Sequence, residues 1–163
     1  SLLLRLNSGE NVMRHLGGPI SAAANLAMLK TRILSYYEEH PGLGVWATME
    51  RDTGRCVGFH LLNHVQGESL IQVGYRLFED DWGKGYATEM SIALLRYGYT
   101  VLKLPLLMAN THRDNLASQH VLRKCGLHHK GERLFSHPAY IDFGPLSYFE
   151  RKAEDWLQEF GAG

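Results

Sequence analysis

The stretch Gly83-Lys84-Gly85-Tyr86-Ala87-Thr88 carries the clearest chemistry in this chain, and that chemistry belongs to the main chain. Before it, Leu70 to Phe78 is a run of β-branched, aromatic and aliphatic residues; after it, Ala87, Met90, Leu94, Tyr97 and Val101 recur at helical spacing. A strand, a glycine-bearing turn and a helix in that order aim several N–H groups at one point. The first N–H groups of a helix have no partner within it, and the dipole adds roughly half a positive charge there. Such a point receives an anion, most often a phosphate. Gly83 and Gly85 allow positive φ and put no Cβ between backbone and ligand. A Walker A loop needs Ser or Thr after Gly-Lys, and Gly85 stands there instead. A dinucleotide fingerprint needs a third Gly or Ala where Thr88 lies, and an acidic residue about 20 positions on, where the chain reads Leu102-Lys103-Leu104-Pro105.

The elements that position this loop can be read from pattern. Leu2 to Leu6 reads as a first or edge strand, and Glu10 to Leu16 as helical until Gly17-Gly18-Pro19. Ser21 to Glu39 is a helix with Leu26, Leu29, Ile33 and Tyr37 on one face, ended by His40-Pro41-Gly42. Val45–Met49 and Cys56–Leu62 form a hairpin across Arg51-Asp52-Thr53-Gly54, and Gln66-Gly67-Glu68 turns into the Leu70–Phe78 strand. Leu106–Ala109 follows a helix and so lies parallel to Leu70–Phe78. Asn115 or Asp114 caps a helix reaching Cys125, and Gly126 ends it. Further strands are expected at Leu127–Leu134 and Leu146–Phe149, and a last helix from Arg151 to Phe160. The expected fold is α/β (α+β mixed), one domain over residues 1–163.

Composition narrows the functional classes. Seventeen basic and seventeen acidic residues leave no net field to steer nucleic acid or a membrane surface. Cys56 and Cys125 are in no metal or redox spacing, so no metal is expected and the thiols suit a reducing cytoplasm. No run approaches the roughly 18 apolar residues of a membrane span, and no secretory signal is recognisable at the start.

Trp82 to Glu89 closely resembles the acyl-CoA pyrophosphate loop of the GNAT-fold N-acetyltransferases, in particular the Rim-type branch of ribosomal-protein N-terminal acetyltransferases. Gly85 and Ala87 fill the last two places of that pattern, and Trp82 stands at its Gln/Arg place. Asn115-Leu116-Ala117-Ser118-Gln119-His120-Val121-Leu122-Arg123-Lys124-Cys125-Gly126-Leu127 is similar to the family segment N-x-x-S-x-x-V-L-x-K-x-G-F. The resemblance implies a mostly antiparallel sheet with a splayed central parallel pair flanked by helices. It implies acetyl-CoA as cofactor, with the pyrophosphate on the N–H groups of Gly83 to Thr88 and Lys84 free at the rim. It further implies pantetheine along Leu77–Phe78, and contacts from Asn115, Ser118 and Lys124.

Acetyl transfer to an amine needs a neutral amine, a stabilised oxyanion and a protonated leaving thiolate. Relatives often supply a tyrosine where this chain has Leu122, and a glutamate in an E-x-G-Y strand where it has Gln72-Val73-Gly74-Tyr75. Ser118 is the candidate donor to the thiolate; His60, His64 and His112 are candidate bases, titrating near neutral pH. An α-amine of pKa near 8 is about one-tenth neutral at pH 7, a lysine well under one-thousandth. The expected acceptor is therefore a low-pKa amine, on a protein N-terminus or a small molecule, met by a monomer or homodimer. The alternative from another class is a CoA-binding sensor or scaffold that has lost catalysis.

Overall fold

In the computed structural model, which describes residues 1–161, six strands form one mixed sheet in the order β1-β2-β3-β4-β6-β5. They are β1 (Gly44–Met49), β2 (Cys56–His64), β3 (Ile71–Leu77), β4 (Leu106–His112), β5 (His128–Arg133) and β6 (Leu146–Lys152). All neighbours are antiparallel except β3 and β4, which are parallel and meet at the single pair Gln72 and Met108. Beyond that pair the two strands part. The connection between them is α5 (Tyr86–Thr100).

Alternation along the strands divides the core into two faces. Leu62, Ile71, Val73 and Leu107 meet Leu94, Leu95 and Tyr99 of α5, and α7 (Ala153–Phe160) closes this layer with the fully buried Trp156, whose Nε1–H donates to the Cys125 carbonyl at 2.8 Å. Val65, Met108, Phe135, Leu146 and Tyr148 form a smaller cluster. Between β4 and β5, α6 (Leu116–Lys124) is capped by Asn115, whose Oδ1 accepts from Ser118 N–H at 3.1 Å. Gly126 then turns left-handed at φ 84°.

The N-terminal quarter departs from the sequence reading. Leu2 to Leu6 is not a strand; α1 spans Leu2–Asn7. A short apolar run does not distinguish the two states. Here Ser1 caps Leu4 N–H, and leucine is a strong helix former. A one-turn α2 (Glu10–Met13) follows. The long helix is interrupted: α3 (Ala22–Met28) widens into π turns over Leu29–Leu34 before α4 (Ser35–Glu39). Along this stretch Leu29 and Ile33 are half-buried while Leu26 and Tyr37 are 51% and 38% exposed. The expected single apolar face is therefore split. At the other end β6 runs on to Lys152, and α7 begins at Ala153 rather than Arg151. Among the described residues no helix is long and apolar enough to cross a membrane.

Candidate active site

β3 ends at Leu77, a 3-10 turn spans Glu79–Asp81, and Gly83 and Gly85 take φ of 74° and 86° before α5 begins. A Cβ at either glycine would meet nothing within 4 Å, so backbone conformation and not space calls for glycine there. The first backbone hydrogen bond of α5 runs from Glu89 N–H to the Gly85 carbonyl at 3.0 Å. Among the described residues, the N–H groups of residues 83–88 have no protein acceptor. All of these residues but Lys84 stand in the wall of a cleft of about 1040 Å³ that runs into the gap between β3 and β4.

Asp81 braces the loop from beneath. Its carboxylate is 1% exposed and takes both ends of the Arg55 guanidinium at 2.7 and 2.8 Å. Lys84 Nζ lies 3.1 Å from the same carboxylate. These cations, Arg55 first, hold the Asp81 carboxyl down at about 2. Lys84 is thus tied to Asp81 and is not the free rim charge expected from sequence.

Leu77, Gly83, Gly85, Tyr86, Ala87 and Thr88 line the cleft, as do Asn115, Ser118 and Lys124 of α6. Phe78 does not: its N–H donates to the Val57 carbonyl of β2 at 3.0 Å. By antiparallel alternation, it is Tyr75 and Leu77 whose main-chain groups face the gap. Tyr75 also lines the cleft, as Ser118 does, and burial pushes its phenol above the ordinary value. Nothing in the sequence separated Tyr75 from a wall residue, because Ser118 arrives 43 positions later, counting from 75 to 118.

The histidines sort by position. His60 is fully buried beneath α5; Thr48 donates to its Nδ1 at 2.7 Å and its Nε2–H donates to the Ala87 carbonyl at 3.3 Å. Burial drives its pKa down to about 4. It does not reach the cleft. His64 is taken by the Tyr36 hydroxyl at 2.7 Å, and its ring lies tilted against His40 at 4.7 Å. His112 lines the cleft, but its Nδ1 accepts from Asp114 N–H at 3.2 Å, which leaves the proton of the neutral ring on Nε2. It faces the cleft as a donor, not as a base. His15, stacked on His112 at 5.4 Å, also lines the cleft, and burial lowers its pKa. No spacing marked His15, which lies in an irregular turn.

At the meeting point of β3 and β4 the side chains are neutral. Gln72 Nε2 donates to Asn63 Oδ1 at 3.2 Å, and Asn110 Nδ2 donates to Gln72 Oε1 at 3.4 Å. This row of amides holds no group able to take a proton at neutral pH. Among the described residues no cluster of His, Cys, Asp and Glu is placed to hold a metal ion.

Residues 1–128 match the family model described as the acetyltransferase (GNAT) domain. The chain belongs to the GNAT acetyltransferase family. Acetyl-CoA is the acyl donor of that family, and acetyl-CoA-dependent acyl transfer is the activity this membership assigns to the chain. An uncharacterized N-acetyltransferase, YoaA, of Bacillus subtilis is 30% identical over 129 residues, which cover 76% of this chain and 71% of that protein. Four other curated relatives are matched over 42% to 65% of their lengths. Three solved structures share the fold. An acetyltransferase from Agrobacterium tumefaciens superposes with a TM-score of 0.76 at 21% identity, covering 91% of this chain and 82% of that one. A Vibrio cholerae spermidine N-acetyltransferase, in complex with CoA and spermine, gives 0.72 at 16% identity, over 94% and 89%. A ribosomal-protein-S5-alanine acetyltransferase from Vibrio fischeri gives 0.70 at 17% identity, over 95% and 88%.

Proposed function

We propose that residues 1–163 work as one N-acetyltransferase domain of the Rim-type branch, moving the acetyl group of acetyl-CoA to a primary amine of low pKa by direct attack in a ternary complex. The observation that carries this reading is the row of unpartnered N–H groups at residues 83–88 opening into a cleft where two parallel strands part. That row would hold the pyrophosphate, with Tyr86, Ala87 and Thr88 at the positive end of α5. The gap-side amides of Tyr75 and Leu77 would pair with the pantetheine arm, and Asn115, Ser118 and Lys124 would line the opposite wall. Acetyl-CoA supplies an activated thioester.

The chain's own groups do the rest. The β3 amides facing the gap donate to negative charge developing on the acyl oxygen. The hydroxyls of Tyr75 and Ser118, which both line the cleft, would give a proton to the departing sulfur. No side chain of the amide row at Gln72 can deprotonate an ammonium, so the amine must arrive neutral. This favours an α-amine over a lysine. The free thiols Cys56 and Cys125, the latter raised to about 12 by burial, take no part and suit a cytoplasmic setting.

Release of CoA thiol across a panel of amines tests the activity. A peptide with a free N-terminus should be acetylated in preference to its Nα-blocked, lysine-bearing twin. A strong preference for the lysine would overturn the acceptor assignment. A second reading, a CoA-binding sensor or scaffold without catalysis, is favoured by Gln72 and Leu122 alone. It predicts stabilisation by acetyl-CoA, about 2.7 kcal/mol at 100 times the dissociation constant, with no thiol released for any amine.

A further inference from the structure

We infer that the acceptor amine carries a carboxylate, received by Arg32 and Arg76 where the cleft passes between the sheet and the N-terminal helices. This rests on the acetyl-transfer reading of the cleft. Ile71 and Val73 face α5, so alternation sends Gln72, Gly74 and Arg76 to the opposite face, away from the helix that the phosphate-binding loop opens. There the Arg76 guanidinium lies over the Phe59 ring at 5.2 Å and donates through Nη1 to Asn7 Oδ1. Asn7 is in turn fixed by the buried Asn25, to which its amide donates at 2.7 Å. Arg76 Nε is buried without a partner, and among the described residues no carboxylate lies within 4 Å of Arg76.

The charge that acts on it is of the same sign. Arg32 reaches the cleft from the π turns of Leu29–Leu34, the irregularity that re-aims this stretch of helix. With the Gln66 amide presenting its oxygen, Arg32 Nη1 donates to it at 2.8 Å, which is again a neutral partner. Burial, and then the Arg32 charge, bring the Arg76 pKa down to about 10, so its guanidinium is still charged at neutral pH. A guanidinium taken from water without a counter-charge is costly to the fold. A carboxylate laid between the two would satisfy the open donors in paired hydrogen bonds.

The acids of the cleft are otherwise engaged. Asp81 holds Arg55 and Lys84, Asp114 lies 3.6 Å from His112, and Glu79 takes both bonds of the Asn11 amide at 2.9 and 3.0 Å. The remaining cleft cation of the N-terminal helices, Arg14, donates to Asn11 Oδ1 at 2.9 Å.

Calorimetry on the CoA-loaded protein tests the assignment without requiring turnover. The probes are an acidic tetrapeptide with a free α-amine, its side-chain amide twin, glutamate, glutamate diamide and spermidine. The acidic member of at least one pair should bind about tenfold tighter or more than its amide twin, the effect of one charge-assisted pair of bonds. Which pair shows the gap distinguishes a protein N-terminus from a small amino acid. R32Q and R76Q should each abolish the gap while leaving CoA affinity unchanged, and R32E should turn preference towards spermidine. Arg32 is exposed, so its variants carry the test even if R76Q fails to fold. Equal binding of twins, no binding of any acid, or spermidine preferred by the unmodified protein overturns the inference. A loss of CoA affinity in R32Q also overturns it, by assigning these arginines to the cofactor's phosphates. Adding acetyl-CoA to the same mixtures and following thiol release reads the proposed activity separately: acids bound but never acetylated would end that reading and leave the anion site standing.

Discussion

The two halves of the cleft are built by opposite means. On the proposed cofactor side, the loop of residues 83–88 presents its own main chain, and one capped helix faces it. On the proposed acceptor side, Asn7, Arg32, Phe59 and Arg76 come from four separate segments; the bond between Asn7 and Arg76 spans 69 positions. The first half is recognition by N–H groups, which every residue owns and only conformation aims. The second is recognition by side chains, whose identity is the whole message. A loop of the first kind can serve every member of a family, whereas a pocket of the second kind must be rebuilt for each acceptor.

Variants at the seam should break this division most sharply. Replacing both Tyr75 by Phe and Ser118 by Ala removes the proposed proton donors, and kcat should fall about 100-fold with the acetyl-CoA dissociation constant unchanged. Rapid-quench measurement of acetyl transfer separates this from slow product release. An unchanged chemical step would mean that the thiolate takes its proton from water.

His60 tests the opposite point, that burial beneath the cofactor helix is structural. Its pKa is lowered in the fold, so the unfolded chain binds the extra proton first. Its stabilising contribution is complete above about 6.5 and is lost as pH falls to about 4, where the penalty reaches about 3 kcal/mol. H60Q should flatten the denaturation midpoint over that window and leave the pH–rate profile in place. A shifted rate profile would return His60 to the chemistry.

Gly85→Ala sharpens the claim about conformation. With no atom near its Cβ, the substitution costs only backbone strain, about 1–2 kcal/mol. The acetyl-CoA dissociation constant should rise about tenfold while acceptor KM holds, read by calorimetry and steady-state kinetics. The smallest effect belongs to Lys84→Ala. Since its ammonium answers Asp81, cofactor affinity should change by about 0.5 kcal/mol or less. A tenfold loss would show that the side chain turns to the phosphate on binding.

Legibility in the sequence divides along the same line. The loop, α5, the Asn115 cap and Gly126 were legible because each is specified by residues within one or two turns of one another. The hairpin at Arg51 to Gly54 was legible for the same reason. Leu2–Leu6 was misread because five residues, four of them leucine, satisfy a strand and a helix equally, and only the Ser1 cap decides. The helix Ser21–Glu39 was found, but not its π turns, since a single widened turn leaves the residue types unchanged. Arg76 read as one residue in a strand. Only the fold reveals that no acid comes near it while a second arginine does. His60 was plausible as a base from its composition and implausible only from its depth.

The lone ladder pair of β3 and β4, Gln72 with Met108, has a mechanical meaning. It divides the sheet into two leaves of three strands, β1-β2-β3 and β4-β6-β5, stitched at one rung. A ligand that lays its own amides along Tyr75 and Leu77 mends the missing rungs and so serves as a seventh strand. The empty protein should therefore flex about this line. Loading it should slow amide exchange on both leaves at once, coupling the cofactor's arrival to the stiffness of the floor on which the amine must land.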